Sequence, residues 1–133
     1  MSAVVDSTIL VDFLRGNPAA VQLIVRERAA APLEASEMTR LEILAGMRPT
    51  EESVTRQLLS TLIWHPVDQE VAERAGGLAR RWLPSHRTIG ASDFAIAATA
   101  LGLRARLLTR NVKHFPMFSD LRSPYGDHQQ APE

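Results

Sequence analysis

The stretch Val4-Val5-Asp6-Ser7-Thr8-Ile9-Leu10 begins apolar and breaks at an aspartate followed by two hydroxyl residues. An apolar run of this kind is what a strand covered on both faces looks like, and in open parallel sheets ligands gather beyond the carboxyl ends of the strands. Asp6 stands at such an end. Taken alone, it reads equally as an N-cap for a helix beginning near Thr8, because Asp and Ser are favoured there. The rest of the chain has to decide.

Strands and helices alternate from that point. Ile9 to Leu14 reads as a short helix stopped at Arg15-Gly16, with Asp12 and Arg15 facing water. Asn17-Pro18 supplies the cap and first-turn proline of a second helix carrying Ala20, Val21, Ile24 and Arg28 on one face. Ala31 to Ala35 is a weak second strand. Ser36 then precedes a helix whose apolar stripe is Met38, Leu41, Leu44 and Ala45, ended by Gly46, with Glu42 off the stripe. Thr50 caps a fourth helix that has Glu51 and Glu52 in its first turn, where the dipole favours acids, and Val54, Leu58, Leu59 and Leu62 facing inward. Trp64-His65-Pro66-Val67 is extended. Asp68 caps the most regular helix, with Val71, Ala75, Leu78 and Trp82 at core spacing as far as Pro84. After a loop over 85–90, Ala91 to Leu101 is a helix rich in small residues ending at Gly102. Leu103 to Thr109 reads as a fourth strand, and Phe118 to Arg122 as a final one. The alternation predicts a three-layer α/β/α sandwich around a parallel sheet of four or five strands. It places the domain at 1–122 and leaves 123–133, SPYGDHQQAPE, as a tail of disordered composition.

Composition narrows the chemistry. The 133 residues fit one domain large enough to bury a core without disulfide or metal support. Lys+Arg and Asp+Glu both number 15, so no overall positive field holds the chain on phosphate, and any nucleic-acid contact is local. The absence of Cys excludes a disulfide framework, thiolate metal sites and a cysteine nucleophile. His65, His86, His114 and His128 show no paired ligand spacing and read as ordinary strand, loop or tail residues. The start MSAVVDS lacks the basic region and apolar stretch of a signal peptide. No apolar run approaches membrane-spanning length, so no membrane contact and a cytoplasmic location are expected.

Asp93 falls in the first turn of the alanine-rich helix, and the strand which that helix feeds ends at Thr109-Arg110-Asn111. Both positions lie on the carboxyl side of the sheet. If that strand neighbours the first, then Asp6, Asp93 and Asn111 converge where the strand order reverses, and Glu42 can reach them from its helix. Each acid also has an ordinary reading: Asp93 as a complement to the helix dipole, Glu42 as a solvated helix residue.

The joint pattern is more specific. VVDSTILVDFLRG around Asp6, MTRLEILAGM around Glu42, IGASDFAIAATALG around Asp93 and LLTRNVKHFPMF around Asn111 together resemble the PIN-domain family, most closely the VapC-type toxins of bacterial toxin-antitoxin pairs. The resemblance spans nearly the whole chain. It implies an endoribonuclease dependent on Mg²⁺ or Mn²⁺, with Asp6, Glu42 and Asp93 as the metal-binding acids. Asn111 occupies a fourth place where many relatives have aspartate, and His114 one where some have a further acid. It also implies an RNA substrate, a cognate VapB-type antitoxin and a homodimer. Hard divalent cations take oxygen ligands, and Mg²⁺ keeps several waters while a few carboxylates and substrate phosphate hold it, which suits three acids and an amide. Thr8, Thr39 and Thr109 are candidates for orienting ligands or water, or else caps and packing. Arg15 and Arg110 are candidates for phosphate, against a solvated surface role.

Two rivals remain. Asp6-Ser7-Thr8 after a strand is also similar to the haloacid-dehalogenase-like phosphatases, but their second carboxylate falls here on Thr8, and no acidic pair accompanies Lys113. The other is a degenerate PIN module that binds RNA or a partner without cleavage, to which Asn111 points.

Overall fold

The computed structural model describes residues 2–126. Within them lie β1 (Ala3–Val5), α1 (Ser7–Leu14), α2 (Pro18–Ala30), β2 (Glu34–Ser36), α3 (Glu37–Ala45), α4 (Glu52–Leu59), β3 (Ile63–His65), α5 (Gln69–Trp82), α6 (Ala91–Leu103) and β4 (Arg106–Leu108). Short 3-10 turns cover Pro49–Glu51 and Val112–His114. The sheet has the order β3-β2-β1-β4, and every pairing is parallel.

Helix starts follow local chemistry. Asp6 accepts from Thr8 N at 3.0 Å, Asn17 from Ala19 N at 2.9 Å, Ser36 from Met38 N at 3.1 Å and Asp68 from Val71 N at 2.9 Å. Each cap satisfies a backbone donor that the helix itself leaves orphaned. Between α1 and α2 the chain turns by 115°, and Gly16 at φ 79° supplies the left-handed residue there.

Alternation along β1 divides the core. Ala3 and Val5 join one cluster with Ile9, Leu10, Ile24 and Leu59, while Val4 joins the other with Ile96, Ala97 and Leu107. Thus α1, α2 and α4 pack on one face of the sheet and α6 on the other, giving the three expected layers. Phe94 to Ala100 are all buried, which is how a helix apolar all round must sit. Outside it, α5 packs on α6 and contains no fully buried residue, so its apolar stripe is only half covered.

Several expectations need correcting. The second strand lies at Glu34–Ser36 rather than Ala31 to Ala35, and α6 runs on to Leu103, with Arg104 rather than Gly102 taking the left-handed cap at φ 53°. No strand forms over Phe118 to Arg122. There Phe118 N bonds Phe115 O and Leu121 N bonds Phe118 O, a succession of turns that packs Phe118 and Leu121 beneath β4. The stripe on α3 is rotated by about one residue: Thr39 and Ile43 are buried and Leu41 is 60% exposed. Val54 is likewise exposed at 58% instead of facing inward. Asp12 does not face water but is buried, as is Tyr125, so the chain past Ser123 is part of the packed structure at least through that residue. The remainder of the expected tail, 127–133 with His128, lies outside the described residues. Among the described residues no single helix is long and apolar enough to cross a membrane.

Candidate metal and phosphodiester site

The last rung between β1 and β4 is Asp6 N to Leu108 O at 3.1 Å, which fixes Asp6 and Thr109 side by side at the carboxyl ends of the two strands. This is the point where strand order reverses, since β2 lies on one side of β1 and β4 on the other. Asp6 is 3% exposed. Its Oδ1 accepts from Thr8 N and from Thr8 Oγ1 at 2.6 Å, and its Oδ2 accepts from Thr109 Oγ1. Both readings of Asp6 therefore hold at once: it caps α1 and it ends a buried strand in the crevice. Burial nonetheless outweighs these bonds and pushes its carboxyl up to about 6.

Thr8 and Thr109 also organise the turn that follows β4. Arg110 N donates to Thr8 Oγ1 at 3.1 Å, and Asn111 N donates to Thr109 Oγ1 at 2.9 Å. Asn111 thereby enters the same crevice, where its amide lies 2.9 Å from His114 Nδ1. That nitrogen is also 2.8 Å from Asp93 Oδ2, in the first turn of α6. A carboxylate only accepts, so in the contact with Asp93 it is Nδ1–H that donates, while the Asn111 amide nitrogen lies against the same ring nitrogen.

Glu42 comes from α3. Ser92 Oγ, adjacent to Asp93, donates to Glu42 Oε2 at 3.1 Å. The other oxygen, Oε1, is buried without a hydrogen-bond partner among the described residues, and so is the hydroxyl of Thr39 one turn earlier. A buried carboxylate oxygen in that condition is costly and calls for a donor or a cation.

The sequence-derived residues are thus linked in one path, Glu42 to Ser92-Asp93, Asp93 to His114 and Asn111, Asn111 to Thr109, and Thr109 to Asp6. Among the described residues, however, no three of the Asp, Glu and His side chains are gathered closely enough to ligate one ion as they stand. Sequence reasoning passed over Ser92, and it read His114 both as an ordinary histidine and as standing where some relatives have a further acid, without a partner for it. Ser92 sits in a first turn, where a hydroxyl reads as a cap. The signal that was available is its position directly before Asp93.

Of the two candidate phosphate arginines, Arg110 turns away: its Nη1 donates to Asp12 Oδ2 at 2.8 Å, with its side chain only 18% exposed. Arg15 remains at the surface. With Arg48 it flanks a groove of about 410 Å³ whose walls include Leu14, Met47 and the exposed Val54 and which opens on Glu42. Phe13 and Leu14 both pack against the core cluster, and of the two only Leu14 also lines the groove.

The sequence signature of the PIN domain family matches residues 3–118. The chain is 46% identical over 122 residues to Ribonuclease VapC19 of Mycobacterium tuberculosis, an alignment covering 91% of this chain and 98% of that protein. It is 40% identical to Ribonuclease VapC10 of the same organism, over 92% of each. Its fold is similar to a chain of a toxin-antitoxin complex from Klebsiella pneumoniae, with a TM-score of 0.78 and 32% identity over 93% of this chain and 98% of that one.

Proposed function

From the premise that the chain belongs to the PIN domain family, we propose that it is a divalent-metal-dependent endoribonuclease and the toxic member of a VapBC-type toxin-antitoxin pair. The observation that carries this reading is the convergence of Asp6, Asp93 and Asn111, joined by Glu42, at the β1–β4 reversal.

The donor set suits Mg²⁺ or Mn²⁺. Asp6, Glu42 and Asp93 offer hard oxygen, and Glu42 Oε1, unpartnered among the described residues, is where a cation relieves a buried charge. We assign these acids as the residues that hold it, with Asn111 as a neutral ligand or a group acting through water. When bound, the ion supplies an acidified water as nucleophile and positive charge for the leaving oxygen of a phosphodiester. The chain's own residues do the rest. Thr8 and Thr109 fix the plane of the Asp6 carboxylate, Ser92 turns Glu42 toward α6, and His114 with Asn111 holds Asp93. Arg15 and Arg48 flank the groove through which RNA backbone approaches Glu42.

The same cluster of carboxylates attracts a cationic side chain. An antitoxin of the VapB type inhibits by placing an Arg against Asp6 or Asp93 and apolar residues in the groove at Leu14, so that it competes with metal. Affinity for antitoxin that is indifferent both to Mg²⁺ and to Asp93→Asn would remove this part of the proposal. Self-association is expected through the half-covered α5, beside which Val67, Leu83 and Leu101 are exposed. Sedimentation that gives a monomer mass at every concentration would refute it.

One observation favours a second reading. Asn111 is neutral where the resemblance to the family implies an acid, which fits a module that binds RNA without cutting it. Calorimetric Mn²⁺ titration run beside an RNA cleavage assay separates the two: binding with cleavage supports the nuclease, and RNA binding without cleavage at any Mn²⁺ concentration supports the module.

A further inference from the structure

Tyr125 lies beyond residue 118, where the family match ends, yet it is 9% exposed and its hydroxyl donates to Asp12 Oδ2 at 2.7 Å. The same Asp12 oxygen accepts from Arg110 Nη1 at 2.8 Å, and the Arg110 guanidinium stands 5.7 Å from the Tyr125 ring centre. Three distant parts of the chain, α1, the turn after β4 and the C-terminal segment, therefore meet on one buried carboxylate. Burial and the bond to Asp12 push the Tyr125 hydroxyl well above its ordinary range, so it stays a donor throughout neutral pH.

Arg110 is the middle residue of the Thr109-Arg110-Asn111 turn. Its neighbours are the two that enter the crevice: Thr109 bonds the Asp6 carboxylate, and Asn111 meets His114. We propose that Asp12 and Tyr125 are positioning residues for the site: by gripping the Arg110 side chain from behind, they hold Thr109 and Asn111 at the places from which they set Asp6 and Asp93. The C-terminal segment is then a working part of the site and not an appendage. The metal-binding half of this inference rests on the proposed function, whereas the grip on the turn does not.

Hydrogen exchange on the metal-free protein tests the grip, because the Arg110 and Asn111 amides report the bonds to Thr8 and Thr109. In Tyr125→Phe, which keeps the ring and deletes one donor, these two amides should exchange about tenfold faster, the usual scale for losing one buried hydrogen bond, while those of β1 and α6 stay unchanged. Asp12→Asn, which keeps shape but removes a negative charge paired with Arg110, should have a larger effect in the same place. In both variants Mn²⁺ affinity by calorimetry should fall about tenfold or less, with KM for RNA unaltered. Unchanged exchange at Arg110 and Asn111, or acceleration spread evenly over the whole chain, overturns the positioning role and leaves Tyr125 an ordinary staple. If wild type binds no Mn²⁺, the metal reading fails, and the amide exchange still decides the grip.

Discussion

On the sheet side of the crevice Asp6 is surrounded by donors from Thr8 and Thr109, whereas on the helix side Glu42 keeps one oxygen on Ser92 and the other without a partner among the described residues. The sheet side is held by the ladder between β1 and β4 and by a turn tied back to it, so its geometry exists before any ligand arrives. The helix side is assembled from α3 and from the first turn of α6, and it is left incomplete. Buried acids with too few partners are tolerated where a ligand completes them, and on the proposed metal reading that difference would divide the tasks: Asp6 would set the position, and Glu42 and Asp93 would close on what binds.

The largest effect expected is on catalysis. Asp93→Ala or Asp6→Ala should lower RNA cleavage by about 10³-fold, as removal of a principal electrostatic group does, with the circular dichroism of the fold retained. Cleavage at the wild-type rate in Asp93→Ala would take that residue out of the site.

A stability measurement sharpens the contrast between the acids. The folded-state value of Asp6, about 6, lies above its ordinary 3.8, so the folded protein holds the proton more tightly than the unfolded chain between those values. Stability from this group is therefore lost as pH rises from 3.8 to 6, and the penalty is complete above that. Asp6→Asn, which does not titrate but loses the acceptor facing Thr8 or Thr109, should gain roughly 2–3 kcal/mol relative to wild type between pH 4 and pH 7.5 in the metal-free protein, the scale of a two-unit shift. The gain should be lost on adding saturating Mg²⁺. A difference between variant and wild type that is independent of pH would contradict the burial account.

Much of this arrangement was legible in the sequence, for reasons that are local. An apolar run ending at Asp6, a Ser cap before α3, and an alanine-rich helix with Asp93 in its first turn are short-range signals, and each places its acid at an element end. The rest depended on partners far along the chain. Asp12 sits on α1 where an acid reads as solvated, and its bonds are to Arg110 and Tyr125, 98 and 113 residues away. Tyr125 falls in a stretch of disordered composition, and nothing nearby in sequence announces that its ring is buried. Phe118 and Leu121 are three apart, the spacing of successive turns rather than the alternation of a strand, so the fifth strand does not form. On α3 and α4 a stripe read one residue out of phase was enough to send Leu41 and Val54 to the surface.

Asn111→Asp adds a charge at the junction of the two sides and should tighten Mn²⁺ binding by about tenfold, since hard cations favour anionic oxygen. Weaker binding in that variant would place Asn111 outside the coordination sphere. The smallest effect is expected from Glu42→Gln in the metal-free protein. Ser92 keeps an oxygen to bond, and the relief of removing the charge is offset by an amide nitrogen left in the place of the unpartnered oxygen, so thermal stability should move by no more than about 0.5 kcal/mol. A loss comparable in size to the change in Asp6→Asn would show that the helix side is as completely built as the sheet side.

The most direct measurement of the central claim is cleavage of a single-stranded RNA by the wild-type protein with Mn²⁺ and with EDTA. The arrangement of Asp6, Glu42 and Asp93 predicts internal cuts that appear with Mn²⁺ and vanish with the chelator. Equal cleavage in both, or none at any Mn²⁺ concentration, would contradict it.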